Sequence, residues 1–301
     1  MRVLITGGTG FVGQRLALRL AEAGHRLLVV SRDPEAARRR LPEGAEVRRS
    51  VLDFVDTPPD ALVNLAGESI AARRWSDEQK KRLIDSRANI TRDLVILCEQ
   101  LHQAGGRAPR VMVSGSAMGY YGDQGDREVT EETPPHDEFA HRLCKRWEDT
   151  AREAADFGTR VALLRTGLVL DAGGGSLQKM LPPFRLGLGG RFGSGRQYMP
   201  WIHREDLVRA ILFLLERDDL EGPFNGSAPH PVTNAEFTRT LAKALKRPAP
   251  FPVPAIVLET AFGEMSRLLL TGADMRPARL LEAGFAFRFE TLEAALADIL
   301  G

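Results

Sequence analysis

The opening stretch "MRVLITGGTGFVG" constrains the fold more than any other. An apolar run, Val3-Leu4-Ile5, ends in glycines at 7, 10 and 13, and the chain then continues as an amphipathic segment with Leu16 and Leu20 on one face. A strand that turns through glycine into a helix is the start of a βαβ unit. Glycines at that spacing let the backbone approach a diphosphate, which the free amides and dipole of the helix N-terminus favour. We therefore expect Thr6, Gly7, Gly10, Phe11, Val12 and Gly13 to cradle a dinucleotide. An ordinary tight turn would leave one spacing repeated across three glycines without a reason.

The pattern that follows supports this. Short β-branched runs near 2–6, 26–30, 46–49, 61–65, 110–114 and 161–165 alternate with helical segments, notably a long one over 77–101 that we expect to bend. This alternation predicts a parallel sheet. From 171 to 203 the chain is rich in glycine and proline, which predicts an irregular surface region. Helices are expected again in "REDLVRAILFLLER" and "TNAEFTRTLAKALKR", then a proline-rich connector, and a tail with a short helix, a strand-like "FAFRF" and a final helix. The run Arg38-Arg39-Arg40 reads as a solvated helix face.

At the end of the second strand, "LLVVSRDP" carries Ser31 and Arg32 where an acidic residue would bind the ribose 2′-hydroxyl of NAD. A hydroxyl and a guanidinium suit a 2′-phosphate, so NADP is expected ahead of NAD, with Asp33 close enough to compete. Asp53 is placed to meet the adenine or to cap the next turn, and Leu65, Ala66 and Gly67 follow the fourth strand beside the dinucleotide. Thr166, Gly167 and Val169 in "LLRTGLVL" are expected at its nicotinamide end.

The 41 basic and 40 acidic residues give a formal charge of +1, which offers no general attraction for nucleic acid or anionic lipid and favours a small-molecule partner. Two cysteines among 301 residues and no signal-like N-terminus fit a reducing cytoplasm. Apolar runs fall short of the roughly 20 residues that span a bilayer. The scattered histidines and cysteines lack metal-site spacing, and "SGSAMG" lacks the spacing of an esterase elbow.

With "TGGTGFVG", "VNLAG" and "VMVSGSAMGYYG" in this order, the chain resembles the extended short-chain dehydrogenase/reductases, the superfamily of nucleotide-sugar epimerases and dehydratases. "NLAGESIAARRWSDEQKKRLIDSR", "GSGRQYMPWIHREDLV", "FNGSAPHPVTNAEF" and "RPARLLEAGFAF" narrow the resemblance to the epimerase-like subfamily of bacterial YfcH-type and human 39U-type proteins, which has its own small C-terminal domain, DUF1731-like. The resemblance implies an α/β fold: a Rossmann-type doubly wound parallel sheet with a smaller mixed α/β C-terminal substrate lobe. It divides the chain into a dinucleotide-binding domain over 1–170, to which 203–227 return, and a substrate lobe over 171–301 that includes the small domain from 250. Helices over 77–101 and 138–157 lie where extended relatives often pair, which points to a homodimer.

The superfamily uses a serine, a tyrosine, and a lysine four residues after the tyrosine, whose charge lowers the phenol pKa. Ser116 matches the serine, while Ser114 belongs inside the strand. The chain has three tyrosines, and Gln124, Gly125 and Ile202 stand four residues after Tyr120, Tyr121 and Tyr198. No Tyr-x-x-x-Lys exists. Aligned by its Trp-Glu end, the helix "EFAHRLCKRWEDTA" puts Ala140 at the tyrosine position and Cys144 at the lysine position. Tyr120 or Tyr121 could act as a displaced acid/base or merely pack the loop, and Cys144 could stand near the nicotinamide or fill core space. His141 and Lys145 are expected to face solvent.

For a polar substrate, Glu68, Ser69, Trp75, Lys80 and Arg87 are expected on one side of a pocket, and Gln197, Trp201 and His203 on the other. The alternatives are hydrophobic anchoring for the two tryptophans and a satisfied loop histidine. Two functions are open: an NADP-dependent oxidoreductase with an unorthodox proton donor, and a non-catalytic dinucleotide-binding redox sensor.

Overall fold

The computed structural model describes residues 1–301. Seven parallel strands form the central sheet: β1 (Arg2–Thr6), β2 (Arg26–Val30), β3 (Glu46–Arg48), β4 (Ala61–Asn64), β5 (Val111–Ala117), β6 (Arg160–Thr166) and β7 (Gly222–Gly226), in the order β7-β6-β5-β4-β1-β2-β3. After β3 the chain crosses over β1 and β2 to lay down β4 on the far side. The strand order therefore reverses between β1 and β4, and a crevice opens beyond their carboxyl ends. Helices Phe11–Glu22 and Arg204–Glu216 cover one face, sharing a core with Val3, Ile5, Val29 and Val63. Helix Asp77–Gln103, unbroken over 27 residues, covers the other with Leu4, Leu62 and Met112. No helix is long and apolar enough to cross a membrane.

Three expectations change. The region 171–203 contains a helix, Gly175–Arg185, whose Leu177, Leu181 and Phe184 recur at helical spacing and bury into the C-terminal core. Its Pro182 and Pro183 leave the carbonyls of Gln178 and Lys179 without amide donors, but both residues are exposed, so water can serve them. The second change is β7, "GPFNG", a seventh strand beyond the six expected. At a sheet edge a proline is tolerated, and Phe224 points into the core.

The third is "FAFRF", which is not a strand. The amides of Arg288 and Phe289 donate to the two carboxylate oxygens of fully buried Asp206, at 2.9 and 2.8 Å, in place of ladder partners. This anchors the tail: Phe285 and Phe287 enter the main core, and Phe289 enters the C-terminal one. Asp206→Ala would leave two amides unpaired, at a cost of about 3 kcal/mol. We expect a lowered denaturant midpoint, with Asp206→Asn intermediate; an unchanged midpoint would contradict the anchor.

Candidate active site

The crevice between β1 and β4 is shaped by glycine. Gly7 has φ of +72°, and a Cβ there would stand 2.7 Å from the carbonyl of Leu65 and 2.9 Å from the amide of Ala66. A Cβ on Gly13 would collide with the Gly7 carbonyl oxygen. The helix that starts at Phe11 has Gly10 as N-cap, with no side-chain cap and no acidic residue in its first turn. The amides of Phe11, Val12 and Gly13 have no partner in the chain and face the crevice as unused donors. Thr6 lies below the loop: its hydroxyl donates to Asn64 at 2.7 Å and accepts from the Ala66 amide, locking β1 to β4.

At the end of β2, Asp33 caps the helix Pro34–Arg38 by accepting from the Ala36 amide at 3.1 Å. The Ser31 hydroxyl donates to the Asp33 carbonyl, and exposed Arg32 has no hydrogen-bond partner. The free charge here is the guanidinium. Asp53 is exposed and accepts from the Ser50 amide at 3.0 Å, so it closes its own turn. Thr166 ends β6, a Cβ on the following Gly167 would stand 2.6 Å from the Pro200 carbonyl oxygen, and Val169 pairs in parallel with Ile202.

Ser116 belongs to a buried polar chain. Its hydroxyl donates to Glu148 Oε1 at 2.7 Å. Glu148, with no exposed surface, also accepts from Arg165 Nε and Nη2 at 2.9 and 3.0 Å and from Arg152 at 3.0 Å. Arg165 Nη1 donates to the Tyr121 hydroxyl at 3.0 Å, and that hydroxyl donates to Asn225 Oδ1 at 2.6 Å. Burial pushes the Tyr121 phenol up to about 12 against the pull of Arg165, so it holds its proton. Tyr120 packs edge-on to Tyr121 and under the Arg165 guanidinium, 3.4 Å from its ring centroid. Burial likewise pushes the Cys144 thiol up to about 11, helped by Glu148 and opposed by Arg87. His141 does not face solvent: it is buried, with Nδ1 2.7 Å from the Tyr120 carbonyl, whereas Lys145 is exposed.

A cleft of about 90 Å³ opens two residues along the chain from Ser116, which does not itself line it, with Met118, Gly119, Phe139 and Ala140 on one wall and Thr271, Gly272 and Ala273 on the other. Of the expected substrate residues, Trp75 lines it, stacked edge-on against Phe139 with centroids 4.8 Å apart. Lys80 spans its rim through an ion pair with Glu264 at 2.5 Å. The other expected wall is not there. Trp201 is fully buried, its indole donating to the His230 carbonyl, and Gln197 donates to the carbonyls of Phe192 and Leu269. His203 caps the helix Arg204–Glu216 through Nδ1 and packs on Phe289. Glu68 is tied to Gln79 at 2.9 Å, and Ser69 is exposed.

Sequence reasoning missed Glu148, Arg165 and Asn225. The available signal was Arg165, a charge inside the apolar run "VALLRT".

A model of the NAD dependent epimerase/dehydratase family matches residues 3–225, and one of a domain of unknown function, DUF1731, matches residues 253–299. The chain belongs to the NAD dependent epimerase/dehydratase family. Among its relatives, the epimerase family protein Mb2239 of Mycobacterium bovis is 42% identical over 298 residues, spanning 98% of this chain and 96% of that protein. Human epimerase family protein SDR39U1 is 40% identical over 304 residues, 100% of both chains. The crystal structure of human SDR39U1 (isoform2) with NADPH has a TM-score of 0.88 and 37% identity, covering 100% of this chain and 99% of that one.

The sealed phenol makes a prediction. The unfolded chain releases the Tyr121 proton near its usual value of 10, while the folded chain keeps it to about 12, so stability falls as pH rises through that window. At about pH 11, where free phenols are mostly ionised, ultraviolet absorbance of the native protein should show at least one protonated phenol. Full ionisation with the fold intact would contradict the assignment.

Proposed function

We propose that this chain is an NADPH-binding oxidoreductase of the epimerase/dehydratase family whose substrate presents a hydroxyl to Ser116. The observation that carries the reading is the juxtaposition of a glycine-walled crevice, faced by the free amides of Phe11, Val12 and Gly13, with a serine that donates to buried Glu148.

The crevice residues fit the cofactor. The free amides of Phe11, Val12 and Gly13 suit its diphosphate, and the bare approach of Gly7 to Leu65 and Ala66 leaves room for it. Arg32 is free to meet a 2′-phosphate because Asp33 is occupied as a helix cap. When bound, the nicotinamide supplies a hydride donor or acceptor. The human relative described with NADPH supports the same preference.

The chain's part begins at Ser116 Oγ. Because its proton is committed to Glu148 Oε1, the oxygen offers lone pairs and accepts from an O–H or N–H of the ligand. Arg165 and Arg152 also donate to the Glu148 oxygens, so Glu148 stands as an acceptor to all three partners. Ser116 therefore orients a substrate alcohol, and the O–H proton that leaves as the carbon is oxidised passes to Ser116 Oγ while the Ser116 proton moves to Glu148 Oε1. Met118, Phe139 and Ala140 give the reacting carbon an apolar wall.

A second reading, a dinucleotide sensor without turnover, draws on the sealed Tyr121 and Cys144, which leave no phenolate or thiolate at neutral pH.

Fluorescence titration should find NADPH bound at least about tenfold more tightly than NADH, with Arg32→Ala removing most of the difference. Equal or tighter NADH binding would overturn the cofactor assignment. In assays of alcohol oxidation with NADP+, Ser116→Ala and Glu148→Gln should both lower kcat by about tenfold or more while leaving NADPH binding unchanged. If wild type and both variants bind NADPH alike and none oxidises any alcohol in a broad panel, the sensor reading replaces this one.

A further inference from the structure

Five of the chain's eight exposed large hydrophobic side chains fall on two short segments, Leu186 and Leu188 on the first, Phe251, Ile256 and Val257 on the second. Leu186 keeps 74% of its surface in solvent and Ile256 65%. The two segments run side by side. Gly187 lies against the Pro248 ring, and a Cβ on Gly190 would collide with the Phe251 carbonyl. Phe192 then bridges Val253 in parallel: the Val253 amide donates to the Arg191 carbonyl at 2.8 Å, and the Gly193 amide to the Val253 carbonyl at 2.9 Å. Helix Ala255–Phe262 continues the second segment, and Leu258 is its one buried residue. Other side chains, among them Phe184 and Leu241, fill the core beneath. The five exposed ones are left as an apolar face of the C-terminal region.

The charge around this face has one sign. No acidic residue occurs over 172–204 or over 237–258. Arg185 and Arg191 flank the two leucines, Lys246 and Arg247 precede Pro248, and all four are exposed. None of them joins an ion pair, whereas Arg204 and Arg267, further along the chain, are paired with Asp171 and Glu138. Glu259 is the first carboxylate that the second segment reaches. The formal charge of +1 averages over the whole chain and hides this local excess.

We propose that this face docks on an anionic lipid surface, with the exposed leucines, Phe251 and helix Ala255–Phe262 entering the headgroup layer and the four cations meeting lipid phosphates. Complementarity selects this occupant. A second copy docked through the same face would set cations against cations, and nucleic acid has no apolar layer to receive Leu186, Leu188 and Ile256. Helix Ala255–Phe262 runs on into Glu264 and Arg267 at the cleft, so docking would hold the cleft rim close to the lipid.

The test uses the full chain and co-sedimentation with vesicles of phosphatidylcholine alone or mixed equally with phosphatidylglycerol. Wild type should sediment with the mixed vesicles, be released by high salt, and stay in solution with phosphatidylcholine alone. Each cation near an anionic leaflet is worth about fivefold in binding, so Arg185→Glu/Arg247→Glu should weaken it by about twentyfold or more. Leu188→Ser/Phe251→Ser should weaken it with the charges intact, and Leu18→Ser, an exposed apolar site on helix Phe11–Glu22, should bind as wild type. All these side chains are exposed, so the variants should keep the wild-type circular dichroism; the lipid and salt dependence of wild type tests the proposal without them. Failure to bind mixed vesicles, equal binding to both kinds, or full binding by both double variants would overturn it. So would a wild-type dimer in sedimentation velocity that Leu188→Ser/Phe251→Ser dissolves, because a second copy would then occupy the face.

Discussion

The buried ion pair between Glu148 and Arg165 is the interaction on which the rest of the site depends. Removing one partner from such a pair typically costs about 3–5 kcal/mol, because the other charge is left in the interior. Here both members have further partners: Ser116 and Arg152 donate to Glu148, while the Tyr121 hydroxyl and the Glu131 carbonyl accept from Arg165. Ser116 and Arg165 are cross-strand partners on β5 and β6, so the pair also ties the register of these strands to the serine's orientation. From Tyr121 the chain of bonds continues through Asn225 to the Arg276 carbonyl, linking the sheet edge to the C-terminal region. One electrostatic knot thus positions the serine, holds the Tyr121 hydroxyl between Arg165 and Asn225, and reaches the C-terminal region at Arg276.

This knot explains how an intact phosphate loop can sit beside an altered reaction centre. The residues at the expected tyrosine and lysine positions, Ala140 and Cys144, are small. Ala140 lines the cleft, its Cβ 3.0 Å from where a Cβ on Gly119 would stand, and Cys144 packs toward the Ala117 carbonyl. Two charges act on Cys144: Glu148, one turn further along the same helix and behind Ser116, and Arg87 on the helix Asp77–Gln103. On the proposed reading, the chain orients a hydroxyl at Ser116 and passes its proton on to Glu148.

Features governed by local chemistry were legible in the sequence. The alternation of apolar runs with helical segments located the first six strands, because a strand buried on both faces must be continuously apolar. The glycines at 7 and 13 announced a close backbone approach, and "SRDP" announced a guanidinium in place of a carboxylate. What failed depended on partners distant in sequence. "FAFRF" alternates like a strand, but Asp206, 82 residues from Arg288, takes its amides. Trp201 and His203 have the chemistry of a binding site and are spent on the core and a helix cap. Tyr121 follows the serine loop as a displaced acid would, yet Asn225, 104 residues away, holds its hydroxyl. The far wall of the cleft, Thr271 to Ala273, carries no chemical signature by which a sequence could mark it.

The most direct test of this account is a crystal structure of this protein with NADP+ bound. The account predicts the diphosphate on the amides of Phe11 to Gly13, and nicotinamide C4 open to the Met118–Gly119–Ala140 cleft. Space would remain for an alcohol carbon at about 3.5 Å from C4, with its hydroxyl on Ser116 Oγ and Ser116 still donating to Glu148. A nicotinamide turned into solvent, or a Ser116 released from Glu148 and covered by protein, would contradict it.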